Sequence, residues 1–217
     1  MPEPGPHARL IDELASDLRP VGRLPPAWLR ASAWSGAAVA LAVLVVTIAH
    51  PWQTRGGEAF GPDLVLAVIA PAVTGFASAW AAFMTSVPGS DRRWALFPLP
   101  PLLIWMGSGG LGCLLRLWSP VEDAGPPPAE CLAFILAVSL PLSCLMFLML
   151  NRAMPLQPGL TAALGGLAAA SVSAALLGLV HRSDAAVLDL LVHAGAVLLV
   201  VAASRLLGAR YLSGRLR

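Results

Sequence analysis

Asp189 and His193 are the first candidates for chemistry, because they are ionisable residues within an otherwise apolar run near the C-terminus. Their spacing of four residues places both on one face of an α-helix. A carboxylate and an imidazole inside a membrane helix are candidates for a proton-responsive pair. One acid and one histidine are few groups for a proton pathway. That favours a structural role, with Asp189 hydrated near the outer interface and His193 hydrogen-bonded within the protein.

Ser108 is a candidate for nucleophilic catalysis. It lies in the segment Met106-Gly107-Ser108-Gly109-Gly110, and together with His193 it faintly resembles the serine–histidine pair of intramembrane rhomboid proteases. The serine motif of that family has glycine two positions before the serine, where this chain has Met106. A glycine-rich face for helix packing explains the same residues. We therefore expect no enzymatic activity.

Cys113, Cys131 and Cys144 are candidates for a redox or metal response. Cys113 and Cys131 are expected near the outer ends of membrane spans, where a disulfide could form. Their spacing does not settle whether their Cα atoms come within the roughly 7 Å that a bridge requires. The alternative is that all three are small buried apolar residues, and we assign Cys144, in the middle of a span, to this class. The sequence has no other clustering of metal ligands, and we predict no metal and no cofactor.

Most of the chain is too apolar for a soluble domain. Of its 217 residues 57% are hydrophobic and 12% charged, and the mean hydropathy is +0.75. A helix that crosses the hydrocarbon needs roughly 20 apolar residues. Six runs have about this length, at residues 31–49, 64–87, 94–115, 131–150, 160–180 and 185–203. The sequence therefore predicts an all-α polytopic membrane protein with six transmembrane helices, spanning residues 31–204 and followed by a basic cytoplasmic tail, 205–217.

The arginines predict the orientation of these spans. Of 14 basic residues, all arginine, 11 fall in the N-terminal segment, the second and fourth connections and the tail, which leaves Arg55, Arg116 and Arg182 for the opposite side. The positive-inside rule then places both termini in the cytoplasm. The basic residues form no cluster suited to nucleic acid, so we expect no direct nucleic-acid binding. Trp28 and Trp34 are predicted to be anchors at the lipid headgroups.

Small residues and prolines predict how the spans pack. The fifth run carries a small residue at every fourth position, which favours close helix contacts: Ala162, Gly166, Ala170, Ala174 and Gly178. Pro71 and Gly75 lie inside the second run, where a neighbouring helix or a Ser/Thr side chain must satisfy the carbonyl that proline leaves free.

The N-terminal segment, residues 1–30, is the one sizeable part that lipid could not hold. An apolar stripe of Leu10, Ile11, Leu14 and Leu18 predicts an amphipathic helix over about residues 8–19, with Asp12, Glu13 and Asp17 on its polar surface. Such a short helix is not stable alone in water, so its apolar face needs a partner. A helix lying on the membrane is the alternative, but an anionic leaflet would repel its acidic face.

The N-terminal segment and the six runs together resemble the NrsF-type anti-sigma factors of bacteria. The residues that carry this resemblance extend from Leu10 through Arg19-Pro20-Val21, Arg23-Leu24-Pro25-Pro26 and Trp28-Leu29-Arg30, with Cys131 and Asn151-Arg152 further along. The resemblance implies a protein of the bacterial inner membrane that sequesters an extracytoplasmic-function sigma factor and releases it on envelope stress. We expect the partner to bind at Leu10, Ile11, Leu14, Leu18, Val21 and Arg23.

The resemblance also implies a cysteine-dependent sensor on the outer side of the membrane. In the family, one cysteine matches Cys131 and another follows a histidine in the last outward loop. Here His181 is followed by Arg182, so the second thiol is missing. Cys113 could replace it, or Cys131 could pair across a homodimer. The sensing candidates are therefore Cys131, Cys113, His181, Asp189 and His193. A small six-span transporter or channel is the competing function, with the intramembrane serine protease a third.

Overall fold

The computed structural model describes residues 6–16, 23–49, 62–116, 128–153, 155–180 and 187–213, and the regular elements in these ranges are helices. They are α1 (Pro6–Ser16), α2 (Ala27–Ala49), α3 (Pro62–Thr85), α4 (Leu99–Arg116), α5 (Pro128–Leu150), α6 (Pro158–Val180) and α7 (Val187–Ser213), with a 3-10 helix, Arg92–Leu96, before α4. The predicted all-α class is confirmed.

Five helices within the described ranges are long and apolar enough to cross a membrane: α2, α3, α5, α6 and α7. The prediction of six spans is therefore wrong in its count. The third predicted span begins five residues late, because residues 92–96 form the 3-10 helix, and α4 then has only 18 residues. This short helix also contains two prolines, four glycines and a terminal arginine.

Helix α6 lies at the centre of the bundle and contacts α2, α3, α5 and α7. Its most apolar window is 72% buried, against 17% for that of α2. The small residues predicted to pack are responsible. A Cβ built on Gly166 would lie 2.6 Å from the Ser204 Cβ, and one built on Gly178 would lie 3.0 Å from the Ala67 carbonyl oxygen. These glycines let α7 and α3 approach more closely than any side chain would allow.

The contact at Gly178 lies beside Pro71, in the interior of α3. Proline has no N–H, so the carbonyl four residues earlier, that of Ala67, loses its helical donor. Gly178 of α6 is in contact with this carbonyl. One turn further along α3, a Cβ on Gly75 would lie 2.8 Å from the Val172 side chain. Helix α6 therefore lies against the freed carbonyl, and compensation for its missing hydrogen bond stays a prediction.

Several contacts bring the arginine-rich segments to one end of the bundle. Arg30, at the start of α2, hydrogen-bonds to Ser86, which follows α3. Thr85 and Thr161 join the end of α3 to the start of α6, with 3.3 Å between their hydroxyl oxygens. The Arg205 side chain of α7 lies beside Gly159. We call this the arginine end, defined by Arg30, Arg92, Arg93, Arg152 and Arg205.

Two further expectations need correction. Trp34 is not an interfacial anchor, because it is fully buried and its indole N–H donates to the Leu142 carbonyl at 3.2 Å. Trp28 is 56% exposed, as an anchor would be.

The last helix continues to Ser213, through part of the predicted tail, because Gly208 and Ala162 allow α7 to stay in contact with α6.

Candidate functional site

Helix α1 carries the predicted partner-binding stripe, and the bundle does not cover it. Leu10, Ile11 and Leu14 are 53%, 64% and 63% exposed. Asp12 and Glu13 are exposed as well. The helix is therefore amphipathic with its apolar face open, the state of a recognition helix before it meets a partner. The predicted contact residues Leu18 and Val21 lie outside the described residues.

A segment without regular secondary structure, residues 23–26, leads into α2 with all four side chains exposed. Arg23, one of the predicted contact residues, is among them. Pro25 and Pro26 keep the segment out of helix, because proline disfavours helical geometry at the preceding residue. Helix α2 then begins at Ala27. Proline is favourable just before this point, where a free N–H would have no acceptor.

Arg30 joins this segment to the bundle, and sequence reasoning missed its role. Its side chain is only 5% exposed. The Nε atom donates to the Pro25 carbonyl and Nη1 donates to the Ser86 hydroxyl, each at 3.2 Å. The guanidinium carbon lies 5.3 Å from the centre of the Phe83 ring, within cation–π range. Nη2 is buried without a partner among the described residues. The signal in the sequence was a lone arginine in the first turn of an apolar helix.

The arginine end also has a small cavity of about 40 Å³ between the turn after α3 and the start of α6. Thr85, Gly89, Arg92 and Gln157 contribute to its lining. Gly89 has φ of +81°, a left-handed conformation that glycine adopts without strain, and it reverses the chain after α3. Asp91 then accepts a hydrogen bond from the Arg93 N–H at 2.9 Å and starts the 3-10 helix. The cavity is large enough for about one water molecule.

The predicted sensing residues are only partly within the described structure. Cys131 is 4% exposed, in an apolar cluster with Ile135, Leu177 and Ala196 at the end of the bundle opposite the arginine end. Cys113 belongs to α4, but its side chain lies outside the described residues. The expectation that Cys144 is buried is wrong, because it is exposed on the surface of α5. Within the described ranges no three His, Cys, Asp or Glu residues group as a metal site would require.

The structure describes the other sensing candidates, His181, Asp189 and His193, less completely. His181 lies outside the described residues, as does the side chain of Asp189. Helix α7 contains Asp189 and His193, so their predicted placement on one helix is confirmed. His193 is half-buried.

Ser108 does not have the arrangement of a nucleophile. Its hydroxyl donates to the Trp105 carbonyl in its own helix at 2.9 Å, so its proton is directed at the backbone and not at a base.

The geometry thus gives an open amphipathic helix, a buried junction and an apolar bundle. Comparison with protein families decides what kind of protein this is: residues 14–213 match the model of NrsF, described as negative regulator of sigma F. The chain belongs to the NrsF family. The match covers nearly the whole chain, including Leu14, the junction at Arg30 and all five long apolar helices. NrsF proteins are regulators of a sigma factor, a role that is not catalytic. No curated protein and no solved structure matches the chain.

Proposed function

We propose that this NrsF-family chain is an anti-sigma factor of the bacterial inner membrane that sequesters an extracytoplasmic-function sigma factor through α1. The observation that carries the proposal is the exposed stripe of Leu10, Ile11 and Leu14 on a helix tethered to an apolar bundle. A sigma factor bound to this stripe would be kept from RNA polymerase at the membrane surface. The lipid bilayer would surround the exposed apolar faces of α2, α3, α5 and α7.

The energetics suit a reversible contact. Burying three large aliphatic side chains at about 1.5 to 3 kcal/mol each gives a gross gain on the order of 5 to 9 kcal/mol. Association and the ordering of side chains then cost an amount of similar size. The acidic residues Asp12 and Glu13 favour a partner surface with basic residues around an apolar centre. Net affinity from α1 alone is therefore modest, and a small change in its presentation can release the partner.

The positions of the arginines support a cytoplasmic location for α1. Both the start of α2 and the last third of α7 lie at the arginine end. Arginine-rich ends of membrane bundles face the cytoplasm. On this orientation Cys131 lies toward the outer side of the membrane, where an envelope signal would arrive.

Release of the sigma factor would begin at that outer end. A redox or metal signal acting at Cys131, Cys113, His181, Asp189 or His193 would change the packing of the bundle, and the changed bundle would withdraw α1. Cys131 is buried, so its modification requires α5, α6 and α7 to separate locally. The two bundle states must differ in affinity for the partner by about 1.4 kcal/mol for each tenfold change in binding.

The test is copurification of the full chain from bacterial membranes, with two matched substitutions in α1. Leu14→Asp places a charge on the apolar stripe, whereas Ser16→Asp places the same charge on the opposite face of the same exposed helix. We expect an extracytoplasmic-function sigma factor, identified by mass spectrometry, with the parent chain and with Ser16→Asp but not with Leu14→Asp. Absence of any sigma factor from the parent, or equal recovery with Leu14→Asp, would contradict the proposal.

A further inference from the structure

We propose that Arg30 is a positioning residue that fixes residues 23–26 against the end of α3 and so couples the packing of the bundle to the presentation of α1. This inference rests on the proposed function. Two stretches distant in the chain meet at one guanidinium: Pro25 accepts from Nε, while Ser86 and Phe83 bind its other side. Pro25 belongs to the segment that leads toward α1, whereas Phe83 and Ser86 lie at the end of α3.

The segment itself has little else to hold it in place. Arg23, Pro25 and Pro26 are exposed and Leu24 is 36% exposed, so apolar packing alone does not fix the position of residues 23–26. Two bonds tie the segment to α2: the Arg30 backbone N–H donates to the Pro26 carbonyl, and the Arg30 side chain donates to the Pro25 carbonyl. Of the two donors, only the Arg30 side chain also binds a residue at the end of α3, Ser86. The guanidinium therefore holds residues 23–26 in their position at the start of α2.

The same guanidinium is sensitive to movement of α3. A buried charge is stable only where its hydrogen bonds are well satisfied, and Nη2 of Arg30 is buried without a partner among the described residues. Ser86 immediately follows α3, which is in contact with α6 along its length. A hydrogen bond weakens steeply once its distance and angle depart from the favourable range. A shift of α3 by about 1 Å relative to α2 would take the 3.2 Å bond to Ser86 outside that range.

The structure offers variants that separate this role from simple loss of charge. Arg30→Gln removes the charge and the bond geometry. Ser86→Ala leaves Arg30 intact and removes its acceptor at the end of α3, together with the local bond from the Ser86 hydroxyl to the Phe83 carbonyl. Arg93→Gln is the matched control, because Arg93 is at the same end but its side chain is 88% exposed. An exposed arginine of this kind contributes little to packing.

The first measurement does not depend on the sigma factor. Spin labels are placed at Leu24→Cys and Leu156→Cys, both exposed at the arginine end, in a full chain without its native cysteines, reconstituted in lipid nanodiscs. We expect a narrow distance distribution in the parent and in Arg93→Gln, and one at least twice as wide in Arg30→Gln and Ser86→Ala. If Arg30→Gln does not insert, Ser86→Ala decides alone. An unchanged width, or a parent distribution as wide as that of the variants, would overturn the proposal.

The second measurement addresses coupling. Membrane retention of the copurifying sigma factor is compared among the same full-length variants without labels. Because a pre-positioned segment lowers the ordering cost of binding, we expect the apparent Kd to rise at least threefold in Arg30→Gln and Ser86→Ala, and to stay unchanged in Arg93→Gln. Widened distances with unchanged Kd would refute the coupling. Failure of the proposed function gives a different result: the parent chain then recovers no sigma factor, or Leu14→Asp recovers as much as the parent, whatever the spin labels report.

Discussion

Substitution of Gly166 by alanine tests how closely α6 and α7 must approach. The new Cβ would lie 2.5 Å from the Ser204 Oγ, 2.6 Å from the Ser204 Cβ and 3.1 Å from the Val200 carbonyl oxygen. Two of these neighbours are parts of α7 that cannot rotate away. The helices must therefore separate by about 1 Å, since favourable contact between heavy atoms is at about 3.5 to 4.0 Å.

The magnitude follows from two opposing effects. Replacing glycine by alanine within a helix gains about 1 kcal/mol of helix propensity, whereas overpacking a tight interface costs about 1 to 3 kcal/mol. Gly195, on the same helix as Ser204, has nothing within 4 Å of a built Cβ, so it receives the first effect without the second. Relative to Gly195→Ala, we therefore expect Gly166→Ala to lower the free energy of unfolding by about 1 to 3 kcal/mol.

The assay is reversible unfolding in bicelles, with both variants measured against the parent under one set of conditions. Because both changes are glycine to alanine within apolar helices, propensity cancels in their difference, and the residual reports the contact. Equal unfolding free energies for Gly166→Ala and Gly195→Ala would refute the close contact between α6 and α7. Equal values would also remove the tight packing on which the proposed transmission from Cys131 to the arginine end depends.

Two further predictions concern single side chains. Trp34→Phe leaves the buried Leu142 carbonyl without its indole donor, so we expect the free energy of unfolding to fall by about 1 to 2 kcal/mol. The control Trp28→Phe, at an exposed position, should cause no measurable change. Similar values for both variants would place Trp34 at the interface instead. In mild detergent, an apolar maleimide should modify the exposed Cys144 at least tenfold faster than the buried Cys131; equal rates would contradict the burial of Cys131.

The sequence was sufficient for the helices because their apolar runs are long and interrupted by charge or proline. The exception, α4, shows the limit of this signal. Its predicted start at residue 94 ignored that Asp91 can cap a 3-10 helix, which delays α4 to Leu99. The last helix also extends beyond the end predicted for the last span. Arg205 and Arg210 look like the end of a span, yet both are within a helix that continues along the arginine end.

The packing within the bundle could be predicted only where it needs small residues. Gly166 and Gly178 indicate close helix contacts, since a larger residue would not fit at either position. Trp34 gave no such signal, because in a membrane protein the residues that face lipid and those that face other helices are equally apolar. Arg30 was read only as a topogenic charge. That its guanidinium meets both Pro25 and Ser86 depends on a contact across 56 residues of chain, which no local pattern contains.

The central claim is that the apolar face of α1 is covered by a sigma factor. A photo-crosslinking amino acid at position 14 of the full chain in native membranes tests it most directly, with position 16 as the matched site on the opposite face. We expect a covalent adduct with an extracytoplasmic-function sigma factor from position 14 that is much weaker from position 16. Adducts of position 14 with lipid alone, or with no sigma factor at all, would contradict it.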